Sequence, residues 1–203
     1  MNWQEFTALL VLSTAMSFTP GPNTTLSTAL AASHGLRRAM PFVCAVPVGW
    51  SALLVVCTLG LGALVLAVPL LSWSIKLVGV AYLLWLAFKI SRSRQLSQAD
   101  AARLNVTFWQ GAALQFVNIK AWMLALAIVS GWIAGRADTG LRFAVVLAVM
   151  LAFAFASNLT YALVGSLLRD WLSGPAGTGQ RLLWFNRVMA AVLVVTAVWM
   201  LFL

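Results

Sequence analysis

Apolar residues fill long windows along this chain, separated by short polar stretches, rather than recurring on a single face of a helix or strand. Reading those runs against their interruptions predicts helices near 3–35, 39–64, 67–90, 107–134, 142–167 and 184–203. A helix needs about 20 mostly apolar residues to cross a bilayer, and the runs supply that length. The expected fold is therefore all-α, a polytopic membrane protein of six transmembrane helices forming one domain over residues 1–203. The first run is too long for one plain crossing. Pro20, Gly21 and Pro22 lie near its middle, where the prolines remove backbone donors and the glycine loosens the chain. It reads as one crossing made of two half-helices. A re-entrant hairpin would instead leave five crossings and move the N-terminus to the opposite side.

The longest polar connection, Ser91 to Asn105, divides the chain into halves of about 1–92 and 104–203, each with three runs. Three is odd, so a duplicated second half enters the membrane from the opposite face. The outline predicts a 3+3 inverted repeat about a two-fold axis in the membrane plane. Six crossings put Arg37, Arg38, Lys89, Arg92, Arg94, Arg103, Arg169, Arg181 and Arg187 on one side and only Arg136 and Arg142 on the other. Basic residues stay in the cytoplasm, which places both termini outside.

Composition sharpens this picture. Of 203 residues, 63% are hydrophobic and 8% charged, and the mean hydropathy is +0.97, values foreign to a soluble domain. The net charge of +9 does not point to nucleic acid, because the basic residues stand singly at the ends of apolar runs instead of forming a patch. Cys44 and Cys57 fall in one expected helix, where 13 residues separate them by about 20 Å, too far for a bridge. The first segment carries Glu5, lacks a basic leader and runs into Pro20, so it reads as a retained crossing. Most of the ten tryptophans lie toward the ends of runs, as interfacial anchors do.

Candidate chemistry concentrates at two places. Interrupting a helix at Pro20-Gly21-Pro22 frees backbone groups at membrane depth, and Asn23 and Thr24 follow where they can cap the second half-helix or bind a carboxylate. About a hundred residues later, Gln115, Asn118 and Lys120 occupy the middle of the fourth run. Centring a lysine in lipid costs about 2.5–3.5 kcal/mol, so Lys120 should face a cavity or a partner. Gln115 and Asn118 share a helical face, but Asn118 and Lys120 lie about 200° apart on an intact helix, so both reach one cavity only if the helix unwinds. Tyr82 in the third run needs a partner for its hydroxyl, and Asn158 and Tyr161 form a polar pair in the fifth. Lys76 reads as a snorkelling residue and His34 as a helix-end residue. Glu5, Asp100, Asp138 and Asp170 all lie near run ends or in connections, so no intramembrane carboxylate or metal-ligand cluster is visible.

These residues resemble the LysE/RhtB superfamily of bacterial amino-acid exporters over nearly the whole chain. Its Pro-Gly-Pro-Asn signature matches Pro20 to Asn23, followed by Gly35-Leu36-Arg37-Arg38. Lys76-Leu77-Val78-Gly79-Val80-Ala81-Tyr82-Leu83 is similar to its Lys-x-x-Gly-x-x-Tyr-Leu pattern, and Asn118-Ile119-Lys120-Ala121 to its Asn-Pro-Lys-Ala. Ile119 replaces the usual proline, which weakens the case for a break in the fourth helix. Gln115-Phe116-Val117-Asn118-Ile119-Lys120 and Ser33-His34-Gly35-Leu36-Arg37 look closest to the branch that exports cysteine and O-acetylserine.

The resemblance implies a secondary exporter, not an enzyme, in the bacterial inner membrane. It would carry a small amino acid to the periplasm by alternating access with proton coupling. Its expected substrate contacts are Pro20, Gly21, Pro22, Asn23, Thr24, Tyr82, Gln115, Asn118, Lys120, Asn158 and Tyr161. The expected partners are the amino acid and the lipid bilayer, with a homodimer left open; no cofactor, metal or nucleic acid is expected. The alternatives are a metal-ion exporter, which the residues give few ligands, or a transmembrane thiol carrier, which needs paired cysteines from different halves.

Overall fold

A computed structural model of the chain describes residues 1–93, 106–174 and 179–202. Arg94, Asp100, Arg103 and most of the polar connection between the halves lie outside the described residues. The described residues are helical, without a strand. In chain order the helices are α1 (Trp3–Phe18), α2 (Pro22–His34), α3 (Leu36–Thr58), α4 (Leu61–Ala67), α5 (Pro69–Ser91), α6 (Phe108–Val117), α7 (Ile119–Ile128), α8 (Thr139–Ser173) and α9 (Gln180–Met200). A π turn, Val129–Ile133, continues α7.

Six full-length helices are not what forms. Among the described residues, only α3, α5, α8 and α9 are individually long and apolar enough to cross a membrane, and α6 with α7 makes a fifth candidate bent by 71°. The first segment divides into α1 and α2, of 16 and 13 residues, each too short to cross alone. The second expected helix stops at Thr58, because Gly60 adopts φ 88°, a left-handed turn that starts the seven-residue α4. The fourth helix is interrupted at Asn118 although no proline is present. The fifth extends to 35 residues, well past the expected 142–167.

Polar contacts sort the helix ends into two groups. Ser33 and Asn186 exchange hydrogen bonds, Asn186 also donates to the Ser93 carbonyl at 3.2 Å, and the Arg169 guanidinium lies beside Gly35. At the other end, Arg142 donates through Nε to Asp138 at 2.6 Å and through its terminal nitrogen to Glu5 at 3.1 Å. The Trp132 indole donates to the Glu5 carbonyl at 2.8 Å, and Arg136 approaches Glu5 at 3.7 Å. Because α8 is continuous, the 27 residues from Arg142 to Arg169 separate the two groups by about 40 Å. The α1–α2 pair, from Glu5 to Gly35, runs that same length.

The core gathers around α2, where 11 of 13 residues are buried. Backbone crossings there are tight. A Cβ on Gly49 of α3 would collide with the Ala112 backbone of α6, and one on Gly165 of α8 with the Thr28 carbonyl of α2. Gly79 of α5 likewise sits directly on the Val117 carbonyl. Such small residues let helices approach where no hydrophobic effect drives them together. The outward surface is apolar: Leu70 on α5, Leu167 on α8 and Val195 on α9 are each at least 68% exposed, as contact with lipid tails requires.

Two outcomes follow. Gly79→Ala forces the Val117 backbone to move and should lower the melting temperature of the detergent-solubilised protein by about 2–12 °C, an overpacking cost of about 1–3 kcal/mol. Gly131→Ala, with open space around it, should leave that temperature unchanged. The second outcome concerns Asp138, whose carboxyl is held below the usual range chiefly by its hydrogen bond from Arg142. A carboxyl depressed in the folded state adds stability above its unfolded range and loses it as pH falls through the folded range. Wild type should therefore lose melting temperature more steeply than Asp138→Asn between neutral and acid pH. Parallel curves would remove Asp138 from this end-group network.

Candidate functional site

Two helix interruptions meet inside the bundle. At the first, Pro22 has no N–H to leave unpaired at the start of α2, and the Thr24 hydroxyl accepts from the Gly21 N–H at 2.9 Å. The first helical bond runs from the Thr25 N–H to the Gly21 carbonyl, which leaves the N–H groups of Asn23 and Thr24 outside the ladder. At the second, Asn118 takes an extended backbone (φ −97°, ψ 97°). Ala121 and Trp122 both donate to its carbonyl, so the N–H groups of Ile119 and Lys120 are similarly outside the ladder. Each of these helices therefore turns the positive end of its dipole toward the interruption.

The carbonyls freed at the ends of the preceding helices are capped from the side. The Tyr161 hydroxyl donates to the Phe18 carbonyl at 2.9 Å, and the Trp122 indole to the Phe116 carbonyl at 2.8 Å. These caps explain how the second interruption persists without proline. Gly79 adds room for the displaced Val117 carbonyl.

Between the interruptions lies a cavity of about 90 Å³. A single water needs roughly 10–15 Å³ on this scale, so the space suits a molecule of several heavy atoms. Gly21, Pro22, Asn23 and Thr24 line it from α2, and Gln115, Asn118 and Lys120 line it from α6 and α7. Interrupting the helix at Asn118 removes the 200° obstacle that would keep Asn118 and Lys120 off a common cavity. Asn158 contributes from α8.

The polar side chains are mostly paired. Asn23 and Gln115 form a reciprocal carboxamide pair, with N···O distances of 2.9 and 3.1 Å across the two halves of the chain. Ser27 donates to Asn158 Oδ1 at 2.9 Å. Lys120 makes no ion pair among the described residues; its ammonium reaches beside Gly21 and lies 5.9 Å from the Trp199 ring. Among the described residues it is the only titratable side chain in the lining.

Three expected contacts lie elsewhere. Pro20 is exposed at the turn. Tyr82 stacks on Trp85 at 5.6 Å, outside the lining, with its hydroxyl buried and unpartnered. Tyr161 serves the end of α1. Conversely, the structure adds Met16 and Ser17 at the end of α1, Trp50 on α3, and Met150 and Ser157 on α8. The thioethers and the indole carried no sequence signal, being indistinguishable from ordinary apolar residues within long apolar runs. Among the described residues no cluster of His, Cys, Asp or Glu could hold a metal ion. Both cysteines are free and lie on α3.

Tyr161→Phe keeps the ring but leaves the Phe18 carbonyl without its donor. It should cost about 1 kcal/mol of stability, read as an earlier unfolding midpoint in a mixed-micelle denaturation series. An unchanged midpoint would mean that the cap contributes nothing.

A sequence model of the LysE type translocator family matches residues 14–202. The chain is 29% identical to the cysteine/O-acetylserine efflux protein of Klebsiella pneumoniae subsp. pneumoniae over 191 residues, covering 94% of each protein. It is 33% identical to the protein of that name from Escherichia coli K12 over 163 residues, 78% of this chain and 80% of the relative. No solved structure matches.

Proposed function

Because the chain belongs to the LysE type translocator family, we propose that it exports a small amino acid or derivative from cytoplasm to periplasm. Transport would proceed by alternating access and be coupled to the proton gradient. The observation that carries this reading is the cavity between two interrupted helices, with two half-helix N-termini, four carboxamides and Lys120 around it. Discontinuous helices meeting at mid-bundle are how transporters built from repeats hold small charged substrates. Cysteine and O-acetylserine, which the relatives' names specify, are the first cargoes to test.

In this reading the substrate carboxylate takes the N–H groups at the start of α2, with Asn23 and Thr24 around it. Lys120 supplies compensating charge and is the lining group that can exchange a proton. Six crossings result when α1 with α2, and α6 with α7, each count as one. Equal lengths of the α1–α2 pair and α8 support that count. The close glycine crossings support a 3+3 inverted repeat: Gly49 of the second crossing meets the fourth, and Gly165 of the fifth meets the first. With the end bearing Arg37, Arg38, Arg169 and Arg187 in the cytoplasm, both termini are periplasmic.

The test is efflux of labelled cysteine from proteoliposomes holding equal amounts of protein. Asn23→Ala and Lys120→Ala should each slow efflux at least tenfold. Wild-type rates in both variants would remove the assignments.

A further inference from the structure

We infer that Asn118 is the acceptor for the substrate's α-ammonium group, in a site that recognises that cation without any carboxylate; the assignment rests on the export reading above. Four carboxamides line the cavity. Asn23 and Gln115 satisfy each other, and Asn158 Oδ1 accepts from Ser27. Asn118 Oδ1 alone is buried with no partner, on a residue only 5% exposed. An acceptor left in that state is costly, so its place is explained by a donor that arrives with a ligand.

The ordinary structural role of this residue is absent. Asn118 stands at the N-cap of α7, where an asparagine oxygen normally accepts from its own first turn, yet its side chain makes no such bond. Two of the neighbouring main-chain acceptors are already engaged, and a third is crowded by a neighbouring helix. Trp122 holds the Phe116 carbonyl and Tyr161 the Phe18 carbonyl, while the Val117 carbonyl is covered by Gly79. Among the described residues no Asp or Glu belongs to the lining. Among the lining residues, a zwitterion whose carboxylate lies at the start of α2 therefore finds in Asn118 one carboxamide oxygen without a partner, and an ammonium carries three donors to satisfy it.

The test compares cysteine with 3-mercaptopropionate, which lacks only the amine, as inhibitors of labelled-cysteine counterflow in proteoliposomes of the full chain. Wild type should prefer cysteine at least tenfold. Asn118→Leu, which keeps the branched shape and removes the acceptor, should bring cysteine down to the level of 3-mercaptopropionate while leaving the latter unchanged. Asn118→Asp, which keeps an acceptor oxygen, should retain the preference. Ligand-induced thermal stabilisation in detergent gives the same comparison for a variant that binds without transporting. If Asn118→Leu keeps the tenfold preference, or Asn118→Asp loses it, the assignment is overturned while the export reading stands. A wild type that carries no amino acid overturns the export reading and this assignment with it.

Discussion

A backbone group without a hydrogen-bond partner at membrane depth costs several kcal/mol, and this structure is organised around satisfying the groups that two helix interruptions release. An unbroken helix avoids the problem by bonding to itself. Here the chain gives up that solution twice and replaces it with side chains brought from elsewhere. Tyr161 on α8 closes the end of α1, and Trp122, only six residues on, closes the end of α6. Thr24 binds back to Gly21 at the start of α2. Gly79 lets α5 lie against the Val117 carbonyl, which a larger residue would push aside. The donors left over, on the first residues of α2 and α7, turn toward one cavity.

The same constraint explains where charge is found. Arg142, only 7% exposed, is tolerated because Asp138, Glu5 and the Trp132 carbonyl together engage its guanidinium at one end of the bundle. That network also ties the start of α1 to the start of α8. At the opposite end, Lys89, Arg92, Arg181 and Arg187 lie over the aromatic rings of neighbouring residues, an arrangement in which a cation keeps water on one side. The ends are thus chemically distinct. One is closed by ion pairs between helices, and the other carries scattered cations.

Much of this was legible in the sequence, but unevenly. Apolar run lengths located the helical segments to within a few residues for α5, and Pro20 to Asn23 pointed to the cavity because proline and glycine act locally, through their own covalent geometry. The interruption at Asn118 was not legible in the same way. It depends on a cap from Trp122 and a space from Gly79, both set by tertiary packing. Tyr82 and Tyr161 show the limit of another signal: a polar group in an apolar run needs a partner without saying which, and Tyr161 meets the Phe18 carbonyl whereas the Tyr82 hydroxyl meets none among the described residues. The end of α3 escaped notice because Leu59 and Leu61 disguise the turn that Gly60 makes between them.

The charge of the cavity constrains its cargo more than its shape does. Two helix N-termini and Lys120 supply positive potential, and no carboxylate in the lining offsets it. A second unit charge 4 Å from the lysine would meet about 4 kcal/mol of repulsion at an effective dielectric of about 20. That corresponds to a discrimination on the order of a thousandfold against a side chain bearing its own cation. A zwitterion brings a carboxylate that offsets this repulsion, whereas a basic side chain adds a cation with no such compensation. Small uncharged side chains fit the remaining wall, where Trp50, Met16 and Met150 offer apolar and polarisable surface without a fixed hydrogen-bonding demand. In the proposed exporter these electrostatics would select against basic amino acids before any side-chain contact is made, and leave the wall to sort among the neutral ones.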